Sequence, residues 1–274
     1  MRYLRIIAVI IIVVSLVFTM WANNRYYGRM NTDRPEITNT VDTLKISVKD
    51  PEEAIFQGLS AKDKTDGDLT DKIMVASVSH FLEPGTVNVK YVVFDSHNNS
   101  ATLTRRVHYT DYTHPEFQLE KAPVYVVGNS FDLLDHIRVE DCLDGEISSQ
   151  IRVVSNMVNN YSAGNYPVVL EVSNSCGDTA QVTLWVTYLS RESSAVVKLH
   201  QYIVYVEEGE TFQPEKWLMS VAERGAGTLD SANVEIQGNL DTSKPGCYQL
   251  VYSYDDGTLS GQSPLTVIVT ERQD

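Results

Sequence analysis

The sequence predicts an all-β protein: three tandem β-sandwich domains, preceded by one N-terminal transmembrane helix. Three observations support this prediction. A pattern of acidic turns and glycines recurs every 78 to 82 residues. Within each copy, apolar residues alternate with polar ones at a period of two, which is typical of half-buried strands. An uncharged apolar segment lies at the start of the chain, before the first copy.

The first element is this apolar segment, and residues 1–24 are predicted to form a short cytoplasmic stub and a transmembrane helix. No charge occurs in Ile6–Asn24, whose nineteen residues are just enough to cross the hydrocarbon core of a bilayer. Arg2 and Arg5 precede the segment, which favours a cytoplasmic N-terminus and an extracellular remainder. A cleaved signal peptide is the alternative, although Thr19–Ala22 offers only a poor cleavage site.

The repeats give the remaining elements. The stretch AKDKTDGDLTDKIMV aligns with VEDCLDGEISSQIRV, so that Asp63 matches Asp141 and Asp95, further on, matches Asn174. A third copy, around Gly246, lacks the acidic loop and is degenerate. The predicted order is a stalk at 25–39, followed by domains at 40–111, 114–190 and 195–273.

Each copy is predicted to fold as an antiparallel sandwich of short strands. Val87, Val89, Tyr91 and Val93 alternate with more polar neighbours, and Gly, Pro, Asn and Asp mark the turns between such runs. Several short strands separated by such turns over about 80 residues are typical of an antiparallel sandwich.

The repeated stretches AKDKTDGDLT and EPGTVNVKYVVFDSHNNSATLTRRV resemble the bacterial Ig-like repeat of the pesticidal crystal protein type, a relative of hyalin-type repeats. That family commonly shows a D-x-x-D-G-D-I/L-T loop, a K-P-G-x-Y-x-V strand entry and a D-x-x-G-N turn. The chain departs from this pattern at Asn98, where a turn glycine is expected, and at Glu146, which replaces the third acid in the second copy. The resemblance implies Ig-like β-sandwiches found in bacterial surface proteins, and it implies no catalytic activity.

Composition excludes other classes of function. With 22 basic and 36 acidic residues the net charge is −14, so the chain cannot neutralise the phosphates of a nucleic acid. The motifs of hydrolases, zinc proteases, phosphate loops and dinucleotide sites do not occur, and the six histidines are scattered singly. We therefore predict a protein that is not an enzyme and has no nucleic-acid partner.

Four carboxylates leave two interpretations open. Asp63, Asp66, Asp68 and Asp95 are expected at one end of the first sandwich, where they could form a weak calcium site. Alternatively they accept backbone N–H groups and only hold tight turns, which the sequence favours. No other cofactor is predicted.

A disulfide between Cys142 and Cys176 is predicted. These two cysteines of the second copy replace Lys64 and His97 of the first, as expected for two positions that face each other. An extracellular location permits the bond. Cys247 has no counterpart and is predicted to be a free thiol on an outer face.

The predicted function is a membrane-anchored extracellular protein of a bacterial cell surface, which acts as a stalk and as a binding or adhesion module. Its partner would be an unknown surface protein or a glycan. Tyr202, Tyr205 and Trp217 suit carbohydrate binding, although aromatic residues at strand spacing are more often core. The alternative function is an accessory or receptor subunit of an envelope or wall-polysaccharide assembly.

Overall fold

The computed structural model describes residues 12–22, 33–130, 132–191 and 195–272. Residues 12–22 are helical, and the described residues from 33 onward form strands, turns, short 3₁₀ helices and the segments that connect them. In the described part of the chain, no helix combines the length and apolar character needed to cross a membrane. Residues 1–11 and 23–32, which complete the predicted stub, span and stalk, lie outside the described residues.

The first pair of sheets contains seven strands. A three-stranded sheet has the order β1-β3-β4, and a four-stranded sheet has the order β2-β7-β6-β5. The strands are β1 (Glu36–Asn39), β2 (Thr43–Ile46), β3 (Leu59–Asp63), β4 (Gly67–Asp68), β5 (Met74–Val78), β6 (Thr86–Phe94) and β7 (Ser100–Tyr109), with 3₁₀ helices at Glu52–Phe56 and Thr70–Lys72.

The second pair repeats this arrangement, with sheets β8-β10-β11 and β12-β13-β14-β9. The strands are β8 (Glu116–Leu119), β9 (Val124–Val126), β10 (Ile137–Asp141), β11 (Gly145–Glu146), β12 (Arg152–Asn156), β13 (Gly164–Ser173) and β14 (Thr179–Leu189), with 3₁₀ helices at Leu133–His136 and Ser148–Gln150.

The third pair has sheets β15-β17 and β16-β20-β19-β18. The strands are β15 (Ala195–Leu199), β16 (Ile203–Glu207), β17 (Leu218–Glu223), β18 (Val234–Gln237), β19 (Gly246–Asp255) and β20 (Ser260–Thr270), with 3₁₀ helices at Pro214–Trp217 and Ser231–Asn233. The protein is thus all-β, with several sandwich-like sheets, as predicted.

Two details differ from the prediction. Strand β1 begins at Glu36, inside the segment predicted as a stalk, because Ile37 is buried and pairs with Ala61 of β3. The sheets are also not wholly antiparallel, since β2 pairs parallel with β7, β9 with β14, and β16 with β20. In each pair the chain passes to the opposite sheet after its first strand, and the second strand pairs there with the last strand of the pair.

The core is formed by the residues that the alternation predicts. Val87, Val89, Tyr91 and Val93 of β6 are all fully buried. The chain forms two compact units, Met1–Asp111 and Tyr112–Asp274, and the second unit contains both the second and the third pair of sheets. One continuous apolar cluster joins these two pairs, running from Phe117 of β8 to Val267 of β20. The predicted boundaries of the three domains remain predictions.

Candidate functional site

The acidic loops predicted from the repeats occur at corresponding places in the first two pairs of sheets. Asp63 Oδ1 accepts hydrogen bonds from the backbone N–H groups of Thr65 (2.7 Å) and Asp66 (2.9 Å). The matching Asp141 Oδ1 accepts from the two corresponding amides, both at 2.9 Å. Gly67 follows with a φ of +74°, a left-handed conformation that favours glycine. These carboxylates therefore hold a tight turn.

The next acid of each loop reaches the turn between the two long strands. The Asp66 carboxylate accepts from the Ser96 backbone N–H (2.6 Å) and hydroxyl (2.9 Å). Asp144 makes the same two bonds to Ser175, at 2.6 and 2.7 Å. The bonds from the Ser96 amide and hydroxyl lower the pKa of Asp66. This contact ties two turns together at one end of each pair.

Asp68 and Asp95 complete the predicted group in the first pair. Asp68 Oδ1 accepts from the amide of Thr70 (2.9 Å), the first residue of the short 3₁₀ helix that follows. Asp95 Oδ1 accepts from the amides of His97 (2.8 Å) and Asn99 (2.7 Å), and Asp95 Oδ2 accepts from Asn99 Nδ2 at 2.7 Å. Both acids thus have local partners.

The two repeats differ in one buried polar contact. In the second pair, Asn174 Nδ2 donates to Asp141 Oδ2 at 3.0 Å. In the first pair Asp95 replaces this asparagine and has no N–H to donate. Asp63 Oδ2 is accordingly buried without a hydrogen-bond partner. A buried acceptor left in this state costs about 1–3 kcal/mol.

The structure therefore supports backbone turns as a role of the four acids predicted for calcium. In the part of the chain that the structure describes, no group of three or more His, Cys, Asp or Glu side chains is arranged to hold a metal ion. The weak calcium site at Asp63, Asp66, Asp68 and Asp95 stays a prediction.

The structure adds a network that sequence reasoning did not find. Asp178 Oδ2 accepts from the Tyr112 hydroxyl at 2.5 Å and from His114 Nδ1 at 2.6 Å. Asn174 Nδ2 also donates to the Tyr112 hydroxyl oxygen at 3.0 Å. Residues 112 and 113 fall between two of the predicted domains, and the sequence predicts no site there. The available signal was the aligned pair Asp95 and Asn99, which becomes Asn174 and Asp178 in the second repeat and so moves the carboxylate by four residues.

The pair of His114 and Asp178 predicts a dependence of stability on pH. The hydrogen bond to Asp178 raises the pKa of His114. Burial of Asp178 opposes its charge, but the bonds from His114 and Tyr112 outweigh burial and hold its pKa below the ordinary value. The contribution of His114 is therefore complete below its unfolded pKa, about 6.5, and is lost as the pH rises through the folded pKa. That of Asp178 is present above about pH 3.9 and is lost as the pH falls through its folded pKa.

We therefore expect the Tm difference between the wild type and His114→Gln to be largest between about pH 4 and 6.5 and to shrink at higher pH. Thermal melts of both proteins across pH 4–9 measure this difference. A difference that stays constant across the range would contradict the assignment. His200→Gln, at an exposed position, serves as the control.

The three cysteines are free thiols in the structure. Cys142 Sγ donates to the Thr113 carbonyl at 3.2 Å, whereas Cys176 is buried. Burial raises the pKa of both thiols. The disulfide between Cys142 and Cys176 stays a prediction. Cys247 is exposed, and its Sγ donates to the Thr183 carbonyl at 3.4 Å.

The aromatic residues considered for carbohydrate binding have packing roles. Tyr202 is buried, and the ring of Trp217 stacks on Phe212 with 6.1 Å between centroids. The Tyr205 hydroxyl accepts from the Phe117 backbone N–H at 2.7 Å, so it connects the second and third pairs of sheets. Burial raises the pKa of Tyr205.

Removal of this hydroxyl should loosen the connection between the second and third pairs. Tyr205→Phe leaves the Phe117 N–H unpaired, and we expect the free energy of unfolding to fall by about 1–2 kcal/mol. Urea unfolding measures the change, and faster hydrogen exchange at Phe117 locates it. Tyr161→Phe is the matched control, since Tyr161 is 84% exposed. Equal stability of the two variants would contradict the prediction.

The comparisons with known proteins agree with the predicted repeat. Residues 201–269 match the family model described as "Bacterial surface protein, Ig-like domain". The match falls on the third copy, the degenerate one of the three. The pesticidal crystal protein Cry22Aa of Bacillus thuringiensis is 29% identical over 206 residues, which cover 73% of this chain and 28% of that protein. The chain thus spans less than a third of this relative.

Similar solved structures are more distant. The M60 catalytic domain with the CBM51-1 and CBM51-2 domains from Clostridium perfringens ZmpB is 13% identical, with a TM-score of 0.25 over 89% of this chain and 31% of that one. The lipoprotein BT2262 from Bacteroides thetaiotaomicron is 14% identical, with a TM-score of 0.26 over 56% of this chain and 98% of that one. These TM-scores are too low to support an inference about function. The two sequence matches, by contrast, confirm the predicted resemblance to the bacterial Ig-like repeat.

Proposed function

We propose that the protein is a non-catalytic, extracellular module of a bacterial cell surface that acts as a stalk and presents a binding face. The observation that carries this proposal is the match of residues 201–269 to the Ig-like domain of bacterial surface proteins. The acidic loops support it as well, because their carboxylates bind the backbone of their own turns instead of converging on a reaction centre.

The compact unit 112–274 supports the role of a stalk. Its two pairs of sheets share one apolar cluster. The bond between the Tyr205 hydroxyl and the Phe117 amide also joins them. Because both contacts cross from one pair to the next, this part of the chain is expected to resist bending and to hold a binding face in a fixed orientation.

We also propose that Ile6–Asn24 anchors the chain in the cytoplasmic membrane. The support is the sequence: the segment has nineteen uncharged residues, follows two arginines and is rich in Ile and Val. The charge of −14 favours the same arrangement, since it repels anionic lipid headgroups and keeps the modules away from the bilayer surface.

The proposal is tested by protease treatment of intact cells that express the chain with a C-terminal epitope. We expect loss of the epitope from intact cells and recovery of the N-terminal fragment in the membrane fraction. A cytoplasmic protein, assayed in the same cells, controls for lysis. An epitope that is digested only after lysis would contradict an extracellular location, and a digested chain without a membrane fragment would contradict the anchor.

An accessory or receptor subunit of an envelope or wall-polysaccharide assembly is the second candidate, and its support is again the surface family. The two candidates differ in their partners. Affinity purification from detergent-solubilised membranes should recover one stoichiometric membrane protein if the chain is a subunit, and none if it acts alone as an adhesion module.

A further inference from the structure

A cavity of about 380 Å³ lies within the compact unit 112–274, between the second and third pairs of sheets. Ligand pockets in proteins are commonly about 300–1,000 Å³, so the volume suits a small organic molecule. The apolar lining residues of the cavity include Leu189, Val196 and Tyr202. Tyr202, considered above for carbohydrate binding, is one of the residues that line it.

The charged side chains that line the cavity are mostly positive, whereas the chain as a whole has a negative net charge. The chain as a whole has 22 basic and 36 acidic residues. The cavity instead is lined by three cations, Lys121, Lys198 and Arg224, and by one carboxylate, that of Glu120. Gln262 adds an uncharged amide. The local excess of positive charge indicates a ligand that carries negative charge.

The ion pairs of these charged residues show which of them are already neutralised by another side chain. The Glu120 carboxylate is bound by Arg138 at 2.5 Å, so it is already neutralised by a cation that does not line the cavity. Lys121 lies 3.6 Å from Asp132 and is neutralised in turn. Lys198 and Arg224 are both exposed, and in the described part of the chain neither takes part in an ion pair. These two cations are therefore available to an incoming anion.

We propose that the cavity binds a sugar-sized ligand that bears a carboxylate or a phosphate. Arg224 and Lys198 would hold the anionic group, because a guanidinium and a carboxylate or phosphate form short, charge-assisted hydrogen bonds. Gln262 would bond hydroxyl groups, and the apolar residues Tyr202 and Val196 would cover the carbon face of the ring. This inference rests on the proposed function, since it names the class of ligand that a surface binding module would hold.

The experiment is calorimetric titration of the full chain, purified in detergent, with three probes: trigalacturonate, glucose 1-phosphate and neutral maltotriose. We expect one of the two acids, or both, to bind at a single site, and the neutral sugar to bind at least tenfold more weakly. Comparison of the two acids distinguishes the carboxylate from the phosphate. Binding should weaken as salt is added, because the contacts are ionic.

Two double variants link the binding to the cavity. Lys198→Gln with Arg224→Gln should weaken binding of the acid at least tenfold. Lys90→Gln with Arg106→Gln removes the same charge from exposed positions of the first unit and should leave the affinity unchanged. Thermal melts confirm that both proteins remain folded.

Three results would overturn the proposal: no binding of either acid, equal binding of maltotriose, or equal affinity of the two double variants. Inorganic phosphate that binds as tightly as glucose 1-phosphate would also overturn it, because the sugar would then contribute nothing. Failure here is separate from failure of the proposed function, which is decided by protease access on intact cells and requires no ligand.

Discussion

Replacement of Arg105 by methionine is expected to lower the free energy of unfolding of the first compact unit by about 3 kcal/mol. Arg105 lies on β7 and is only 3% exposed. Its guanidinium donates to the carbonyls of Ile55 and Gln57, both at 2.6 Å, and lies over the ring of Tyr91 at 5.2 Å. Methionine fills much of the same space, but the Gln57 carbonyl loses this donor and the Ile55 carbonyl keeps only the Tyr91 hydroxyl. A hydrogen bond from a charged group contributes about 1.5–3 kcal/mol, so the loss of two such bonds sets the expected change.

The change should also release the 3₁₀ helix Glu52–Phe56, since Arg105 binds the backbone at the end of this helix. Tyr91 remains as a second contact, because its hydroxyl donates to the Ile55 carbonyl at 2.7 Å. Hydrogen exchange measured by mass spectrometry should accelerate at residues 52–58 in the variant, and urea unfolding gives the change in stability. Arg106→Met is the matched control, since Arg106 is exposed on the same strand. Equal stability of the two variants would show that the buried guanidinium contributes nothing net.

The sequence predicts the core of the fold well because one physical pattern determines it. A strand that is buried on one face must place apolar residues at every second position. The inward residues of β6 and β19 follow that rule, and all of them are buried: Val87, Val89, Tyr91, Val93, Leu250, Tyr252 and Tyr254. The same rule makes Cys247 of β19 exposed, as predicted.

Arg105 is an inward residue of β7 that the alternation alone would have placed in the core. Arg105 and Val107 are two positions apart on β7, so their side chains lie on the same face of the strand. Val107 is fully buried, and the alternation therefore places Arg105 inward as well. A charged residue in a run of Thr and Arg is ordinarily taken as exposed. What overrides that expectation is the loop at residues 55–57, whose carbonyls lie within reach of β7 only after folding. Arg105 is separated from Gln57 by 48 positions and from Ile55 by 50, so these contacts leave no local signal in the sequence.

The sequence predicts where the acidic loops lie, but it does not predict what their carboxylates bind. The Asp-Gly pairs at residues 66–67 and 144–145 marked the turns correctly, and both glycines have left-handed φ angles. Whether the carboxylates of such a loop bind metal or backbone depends on which N–H groups point toward them. That geometry follows from the turn between the two long strands, which lies about 30 positions away along the chain.

The exchange of Asp95 for the asparagine found in the second repeat should raise the Tm of the first unit by about 4 °C. Asp95→Asn supplies the N–H that Asp63 Oδ2 lacks, as Asn174 does for Asp141 at 3.0 Å. The side-chain oxygen of the new asparagine can still accept from the amides of residues 97 and 99, since Asn174 Oδ1 accepts from the corresponding amides. The Asn99 amide must turn to present its oxygen, which reduces the gain.

The reciprocal variant gives the opposite sign and serves as the control. Asn174→Asp removes the donor to Asp141 Oδ2 and places two carboxylates together, so we expect a lower Tm for the second unit. Scanning calorimetry of the wild type and both variants measures these shifts, with hydrogen exchange at residues 63–68 and 141–146 to assign each transition. The same melts with millimolar calcium decide between the two interpretations of the acidic loop. If calcium uses Asp63 and Asp95, it will stabilise the wild type but not Asp95→Asn. If the carboxylates serve only the turn, calcium will change neither protein, and Asp95→Asn will remain the more stable of the two.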